Sequence, residues 1–144
     1  MPCLIVLLLG CNSSNSEQSI INSDKKENPK EELVMAKVSE MSLLMNEIYA
    51  YNEAIKQQII VDKFKANYPE RFDKIHTAVL TDPTDRDNNF ERFSMQYIES
   101  QKAVYNGSED NLKSRYNNAI NMCITCHNVK CVGPIPRIKK LLIH

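Results

Sequence analysis

The chain has 144 residues, with 18 basic and 18 acidic side chains and a formal net charge of zero. This length suggests one domain, and the balanced charge points neither to nucleic acid nor to a strongly charged partner. Only three Gly are present, strand-like alternation is scarce, and residues that favour helices dominate, so an all-α fold is predicted. The five Cys fall into separate places along the chain and do not form a disulfide framework.

The N-terminus contains two segments of different composition. An apolar run over residues 4–9 is followed by Gly10 and Cys11, a pattern that resembles the lipobox of bacterial lipoproteins, in which the Cys is lipidated and becomes the mature N-terminus. We therefore expect residues 1–11 to be a signal that ends at the lipidated Cys11, since the run is too short to span a bilayer. No Lys or Arg precedes the run, which suggests a truncated start; a buried N-terminal strand is the alternative. Residues 12–30 are polar and are predicted to form a solvated tether.

The first predicted helix runs from Glu31 to about Ile59. Pro29 lies just before it, a position that the start of a helix tolerates. Apolar residues recur at alternating intervals of three and four, which is typical of a helix that packs one face into a bundle. They are Val34, Val38, Met41, Met45, Ile48, Ile55 and Ile59.

Two further helices are predicted over the middle of the chain. Residues 62–80 have the apolar pattern of a helix. Pro69 either begins this helix or kinks it, so the extent of the helix is open. Residues 81–85 form a turn with capping side chains, and a third helix follows through residues 90–104. Gly107 is expected to end that helix in the left-handed conformation, which Gly adopts at little cost.

The fourth predicted helix follows Ser108, which is expected to cap its start. The Gly and Pro residues of 132–136 stop this helix, and the tail, residues 132–144, is expected to pack back over the others. Residues 31–131 are therefore predicted to form an all-α, antiparallel four-helix bundle. The inward-facing positions of the fourth helix are Leu112, Tyr116, Ala119, Ile120, Cys123 and His127.

The sequence Cys-Ile-Thr-Cys-His at residues 123–127 is the attachment motif of c-type haem. Two Cys three residues apart lie on one face of a helix, so both thiols can add across the two vinyl groups of one porphyrin. The His that follows places an imidazole nitrogen under the iron as the proximal ligand. The motif therefore predicts one covalently bound haem c, near the C-terminal end, held by Cys123, Cys126 and His127.

Four helices with this motif near the end of the last one resemble the cytochrome c prime family, over residues 31–131. Ordinary small cytochromes c usually carry the motif near the N-terminus instead. The resemblance implies that haem lies between the first and last helices, with Cys123 and Cys126 as thioether positions and His127 as the proximal ligand. Members of the family often dimerise through their first two helices, so a homodimer is an option. Since c-type haem is attached outside the bacterial cytoplasm, we expect a periplasmic protein anchored to a membrane through Cys11.

The resemblance leaves the opposite side of the iron open. Members of the family have either a Leu at an open, five-coordinate face or, in low-spin relatives, a Met ligand. Residues 39–44 resemble that stretch and put Met41 at the distal position; Met45, one turn away, is the fallback. His/Met ligation raises the reduction potential and suits electron transfer. A Met in the apolar stripe of a helix is also a common core residue. The third alternative is therefore that neither Met41 nor Met45 binds the iron.

Cys131 departs from the family, which commonly has a basic residue four positions after the His. A small buried thiol is one interpretation, and an intermolecular disulfide or a redox-active thiol is the other. Arg137, Lys139 and Lys140 either pair with haem propionates or are solvated. His76 is interpreted as a partly exposed helix residue rather than as a second ligand.

These features favour a lipid-anchored monohaem cytochrome that exchanges electrons with a redox partner protein. The alternative is a five-coordinate haem protein that binds or senses a diatomic gas, carbon monoxide or nitric oxide. A structural zinc module of Cys123, Cys126, His127 and Cys131 has a plausible ligand set, although the adjacent Cys126 and His127 give poor geometry on a continuous helix. No nucleophile–base pair and no paired carboxylates stand out, so neither an enzyme nor a nucleic-acid partner is expected.

Overall fold

The computed structural model describes residues 38–144, and this part of the chain is helical, with no strand. The all-α prediction is thereby confirmed for these residues. None of the described helices combines the length and the apolar character that crossing a bilayer requires. The α-helices are α1 (Glu40–Ile60), α2 (Asn88–Asn106), α3 (Leu112–Lys130) and the short α4 (Ile135–Lys139), and three 3₁₀ helices span Glu70–His76, Pro83–Asp85 and Glu109–Asn111.

A serine cap sets the start of α1. Ser39 has an extended backbone, and its Oγ accepts a hydrogen bond from the backbone N–H of Ser42 at 3.1 Å, which satisfies one of the free donors of the first turn. Val38, which the apolar pattern placed in the helix, precedes the cap and is 56% exposed. The predicted residues 31–37 of the first helix lie outside the described residues. Four of the remaining residues of the predicted stripe, Met41, Ile48, Ile55 and Ile59, are buried, whereas Met45 is only partly buried. Leu44 and the polar Asn52 complete the buried face of α1.

The second predicted helix is much shorter than its apolar pattern indicated. Of residues 62–80, only Glu70–His76 is helical, and it is a 3₁₀ helix. Asp62 has a φ of 53°, the left-handed conformation that Asp tolerates better than most residues, and it turns the chain out of α1. Pro69 is the residue immediately before the 3₁₀ helix; it has no N–H to continue a helix from upstream, so it begins the helix rather than kinking it.

The turn between α2 and α3 lies at the predicted position, but the conformation of Gly107 and the start of α3 differ from the expectation. Gly107 ends α2 with a φ of −105° and a ψ of 172°, which is extended backbone and not the left-handed conformation. A Cβ at Gly107 would instead meet the guanidinium group of Arg115, so a larger residue there would require the flexible end of the Arg115 side chain to move. Ser108 does not cap α3, because the 3₁₀ helix Glu109–Asn111 intervenes and Asn111 occupies the position before α3.

A buried polar layer joins the three long helices. The Asn52 and Gln101 side chains are fully buried, and Gln101 Nε2 donates to Asn52 Oδ1 at 2.9 Å. Asn52 Nδ2 donates in turn to the Ile48 carbonyl of its own helix, and the hydroxyl of the buried Tyr116 donates to the Asn52 carbonyl at 3.0 Å. Because a buried polar group that lacks its partner is costly, these bonds favour one alignment of α1, α2 and α3.

The C-terminal tail packs back onto the helices, as its apolar residues predicted. Ile138 and Leu141 are 7% and 3% exposed. Polar contacts from α1 hold the same segment: Lys56 Nζ donates to the carbonyls of Lys140 and Leu142, each at 2.8 Å. The tail is therefore part of the folded core rather than a solvated extension.

We expect Asn52→Ala to lower the free energy of unfolding by about 2–3 kcal/mol, since it leaves the buried Gln101 amide without its acceptor. Urea unfolding followed by circular dichroism measures this change. Asn118→Ala, at an exposed position of α3, is the matched control and should stay within about 0.5 kcal/mol of the wild type. Equal losses in the two variants would contradict a specific role for the polar layer.

Candidate haem site

A pocket of about 370 Å³ lies between the start of α1, the end of α3, α4 and the segment around residues 80–90. Its size is within the usual range of ligand sites, about 300–1,000 Å³. Apolar side chains make up most of its wall; they include Ile48, Leu80, Phe90, Ile138 and Leu141. A wall of this composition suits a large apolar ligand and excludes water from it.

The described site residues that the motif and the resemblance predicted all line this one pocket. Cys123, Cys126 and His127 reach it from α3, and Met41 reaches it from the first turn of α1. Met45, the fallback ligand, lines it too. Cys11, the predicted lipidation site, lies outside the described residues.

The imidazole of His127 is oriented by the backbone at the end of its own helix. Its Nδ1 lies 2.8 Å from the Cys131 carbonyl oxygen. Because a carbonyl oxygen only accepts hydrogen bonds, Nδ1 carries the proton and Nε2 keeps a free lone pair. This is the arrangement that metal-bound His residues usually show, with one ring nitrogen held by an acceptor and the other free to bind.

The role of Cys131 was not foreseen from the sequence. Its backbone N–H donates to the His127 carbonyl at 3.0 Å and its own carbonyl accepts from the imidazole. The residue ends α3 with an extended backbone, and this turn brings its carbonyl back toward the ring. Any side chain could provide the same carbonyl, so the only signal was that the helix ends four residues after the His.

Both motif thiols lie in surroundings that keep them protonated. Burial raises the pKa of Cys123 to about 12, with a smaller contribution from Cys126. Burial also raises the pKa of Cys126, and the Lys130 ammonium group opposes that shift. Cys123, Cys126 and Cys131 are all free thiols. Since the thiolate is the reactive form of Cys, these values do not favour a thiol–disulfide exchange site.

The zinc alternative gains no support from the described residues. They contain no group of three or more His, Cys, Asp or Glu side chains placed to hold a metal ion. Cys126 and His127 are consecutive residues within the continuous helix α3, so their side chains leave the helix in different directions.

Met41 is fixed at the pocket by the segment that crosses the start of α1. Its backbone N–H donates to the Val79 carbonyl at 3.0 Å, and the Glu40 carboxylate accepts from the Val79 N–H at 3.0 Å. The Ser39 hydroxyl lies 2.9 Å from that of Thr81. The Met41 side chain is only 7% exposed, and it therefore occupies a defined position on the α1 side of the pocket.

Charged side chains surround the open part of the pocket. Lys130, at the end of α3, pairs with Asp87 at 2.7 Å, and Asp87 also caps α2 through the Phe90 N–H. The Lys130 ammonium group, followed by the backbone N–H groups at the start of α2, holds the pKa of Asp87 below its usual value. Arg137 of α4 donates to Asn46 Oδ1 and lies over the Tyr49 ring. Ion pairing and stacking thus tie α4 and α2 to the pocket wall.

A comparison with protein family models, with curated proteins and with solved structures finds no match to this chain. What the protein does is therefore inferred from its sequence motif and from the side chains that meet at this pocket.

Proposed function

We propose that the protein is a monohaem c-type cytochrome that transfers electrons, built as an antiparallel four-helix bundle of the cytochrome c prime kind. The observation that carries this proposal is the meeting of Cys123, Cys126, His127 and Met41 at one pocket. The three α3 residues are close in sequence, but Met41 comes from the opposite end of the described chain. The attachment motif by itself does not predict that a Met from another helix lines the same pocket.

The residues at the pocket suit covalent haem in three respects. The thiols of Cys123 and Cys126 are free and would form the two thioether bonds. His127 Nε2 has the free lone pair that a proximal ligand needs, and the Cys131 carbonyl prevents the ring from turning. The apolar wall would exclude water from the porphyrin. Haem bound here would supply a one-electron couple between ferric and ferrous iron.

Met41 would provide the sixth ligand through its thioether sulfur. Its backbone N–H is held by the Val79 carbonyl and its side chain is buried, so little side-chain freedom would remain to be lost on ligation. A Met opposite a His raises the reduction potential, which suits a protein that accepts and releases electrons. If no Met closed this side, iron would be five-coordinate and the protein would bind carbon monoxide or nitric oxide instead.

The first test is a pyridine haemochrome assay on protein produced in a host that attaches haem to c-type cytochromes. We expect one covalently bound haem per chain, and we expect Cys123→Ser and Cys126→Ser each to leave a single thioether bond, visible as a red-shifted haemochrome band. Cys131→Ser is the matched control and should retain both bonds. A chain without covalent haem that binds zinc tightly would refute the proposal and favour the zinc module.

Met41→Ala is expected to convert a low-spin spectrum to a high-spin one, because it removes the sixth ligand. The absorption spectrum of the reduced protein measures this: the wild type should show a sharp α band that carbon monoxide does not change, and the variant should bind carbon monoxide. Met45→Ala, one turn along the same helix, is the control. A wild-type protein that binds carbon monoxide readily would favour the gas-binding alternative.

We further propose that the protein is lipidated at Cys11 and lies on the periplasmic side of a bacterial membrane. The lipobox-like sequence at residues 8–11 and the polar stretch after it support this. Haem-containing wild-type protein is expected in the membrane fraction, and Cys11→Ser is expected to move it to the soluble fraction. Retention of the variant in the membrane would contradict lipid anchoring at this residue.

A further inference from the structure

Although the net charge of the chain is zero, its charges are unevenly distributed, and the C-terminal end is strongly positive. Residues 111–144 contain six Lys or Arg residues and no Asp or Glu. This segment forms α3 and α4, which provide the motif side of the pocket. The balanced composition suggested no charged partner, but the charges are separated in space and their local field can still select one.

Three of these cations lie on or next to α4 and have no acidic partner among the described residues. Lys139 and Lys140 are exposed, and neither they nor Arg137 belong to any of the described ion pairs, which are Arg71–Glu47, Arg86–Glu91, Lys102–Asp73 and Lys130–Asp87. The groups that Arg137 contacts, an amide oxygen and an aromatic ring, are neutral, so its positive charge is not cancelled.

Two exposed valines precede these cations closely in the sequence. Val129 and Val132 are 57% and 65% exposed, and they flank Cys131, which itself lines the pocket. Cys126 and His127 are only partly buried, so this edge of the pocket reaches the protein surface. Apolar side chains bordered by cations are a common composition for a protein interface with a polar rim.

Another part of the pocket wall carries negative charge. Asp82 and Asp85 are exposed and line the pocket. The pocket is therefore lined by the positive Arg137 from α4 and by the negative Asp82 and Asp85 from the 82–85 segment. A uniformly anionic lipid surface would be repelled by the aspartates, whereas a partner with a localised acidic patch can align with the positive residues alone.

We infer that a basic rim, consisting of Val129, Val132, Arg137, Lys139 and Lys140, docks an acidic redox protein in a transient complex. This inference rests on the proposed electron-transfer function and names the partner of that same site. Docking here would bring the partner close to Arg137, which lines the same pocket as the partly exposed Cys126 and His127. Transient redox complexes have small interfaces, below about 1,200 Å², and depend on electrostatic steering for fast encounter.

The test measures electron transfer between the full-length holoprotein and an acidic flavodoxin as the probe. In stopped flow, one electron passes from the chemically reduced flavin to the ferric iron. The second-order rate constant should fall as ionic strength rises, and Lys139→Glu with Lys140→Glu should lower it about tenfold at low ionic strength. Asp85→Asn should raise it, since it removes repulsion from the 82–85 segment. Unchanged visible and circular dichroism spectra establish that the variants are folded.

The matched control is Lys63→Glu with Lys65→Glu. These lysines are exposed and line a separate cavity. Replacing both with Glu changes the net charge of the protein by the same amount as the Lys139/Lys140 substitution. Their double variant should keep a rate within about twofold of the wild type, because steering acts through local charge. An equal loss in both double variants would mean that only net charge matters and would overturn the inference.

Two further outcomes separate this inference from the proposed function. If the protein carries covalent haem but its electron-transfer rate constant depends neither on ionic strength nor on the Lys139/Lys140 substitution, docking at the basic rim is refuted and the cytochrome proposal stands. Binding of the holoprotein to phosphatidylglycerol vesicles that is lost in the Lys139/Lys140 variant, with an unchanged flavodoxin rate, would assign the rim to a membrane and overturn the inference. Absence of covalent haem would refute the proposed function itself.

Discussion

The alignment of the pocket depends on the buried hydrogen bond from the Tyr116 hydroxyl to the Asn52 carbonyl. Met41 lies eleven residues before Asn52 in α1, and His127 lies eleven residues after Tyr116 in α3. Eleven residues are about three helical turns, or about 16 Å of rise, so each residue lies on the same face of its helix as the residue that makes the bond. A slip of one helix by a single residue would turn Met41 or His127 by about 100°. The polar layer therefore fixes the rotation of α1 and α3 at which Met41 and His127 both line the pocket, and Gln101 extends the constraint to α2.

Sequence periodicity predicted the parts of this arrangement that depend on apolar burial. The stripes of α1 and α3, the position of the turn at Gly107 and the return of the tail follow from side-chain chemistry that repeats at helical spacing. The short 3₁₀ helix Glu70–His76 could not be predicted in the same way, because its apolar spacing also fits an α-helix. What decided its length was the left-handed Asp62 and the missing N–H of Pro69, two local backbone effects that an apolar pattern does not record.

The candidate site likewise contains residues that the sequence identifies and contributions that it does not reveal. The motif identifies three side chains directly, because covalent chemistry requires those residue types at that spacing. The contribution of Cys131 is a backbone carbonyl, which leaves no trace in residue identity. The polar member of the α1 stripe, Asn52, interrupts the apolar pattern and is visible in the sequence only as an exception. The acceptor and donors it uses come from α1, α2 and α3, so its role depends on contacts that a single helix cannot reveal.

The two sides of the pocket differ in access, and this difference bears on how an electron would enter. The start of α1 is closed: Met41 is 7% exposed, and the 79–81 segment is hydrogen-bonded across it. The α3 side is open, with partly exposed Cys126 and His127 beside unpaired cations. If haem bound here as proposed, with His127 on one side of the iron, a diatomic gas would compete with Met41 for the other side. A protein partner needs only to approach the open side, because electrons do not require a channel for a ligand. Under the proposed function, the burial of Met41 is therefore an argument for electron transfer over gas binding.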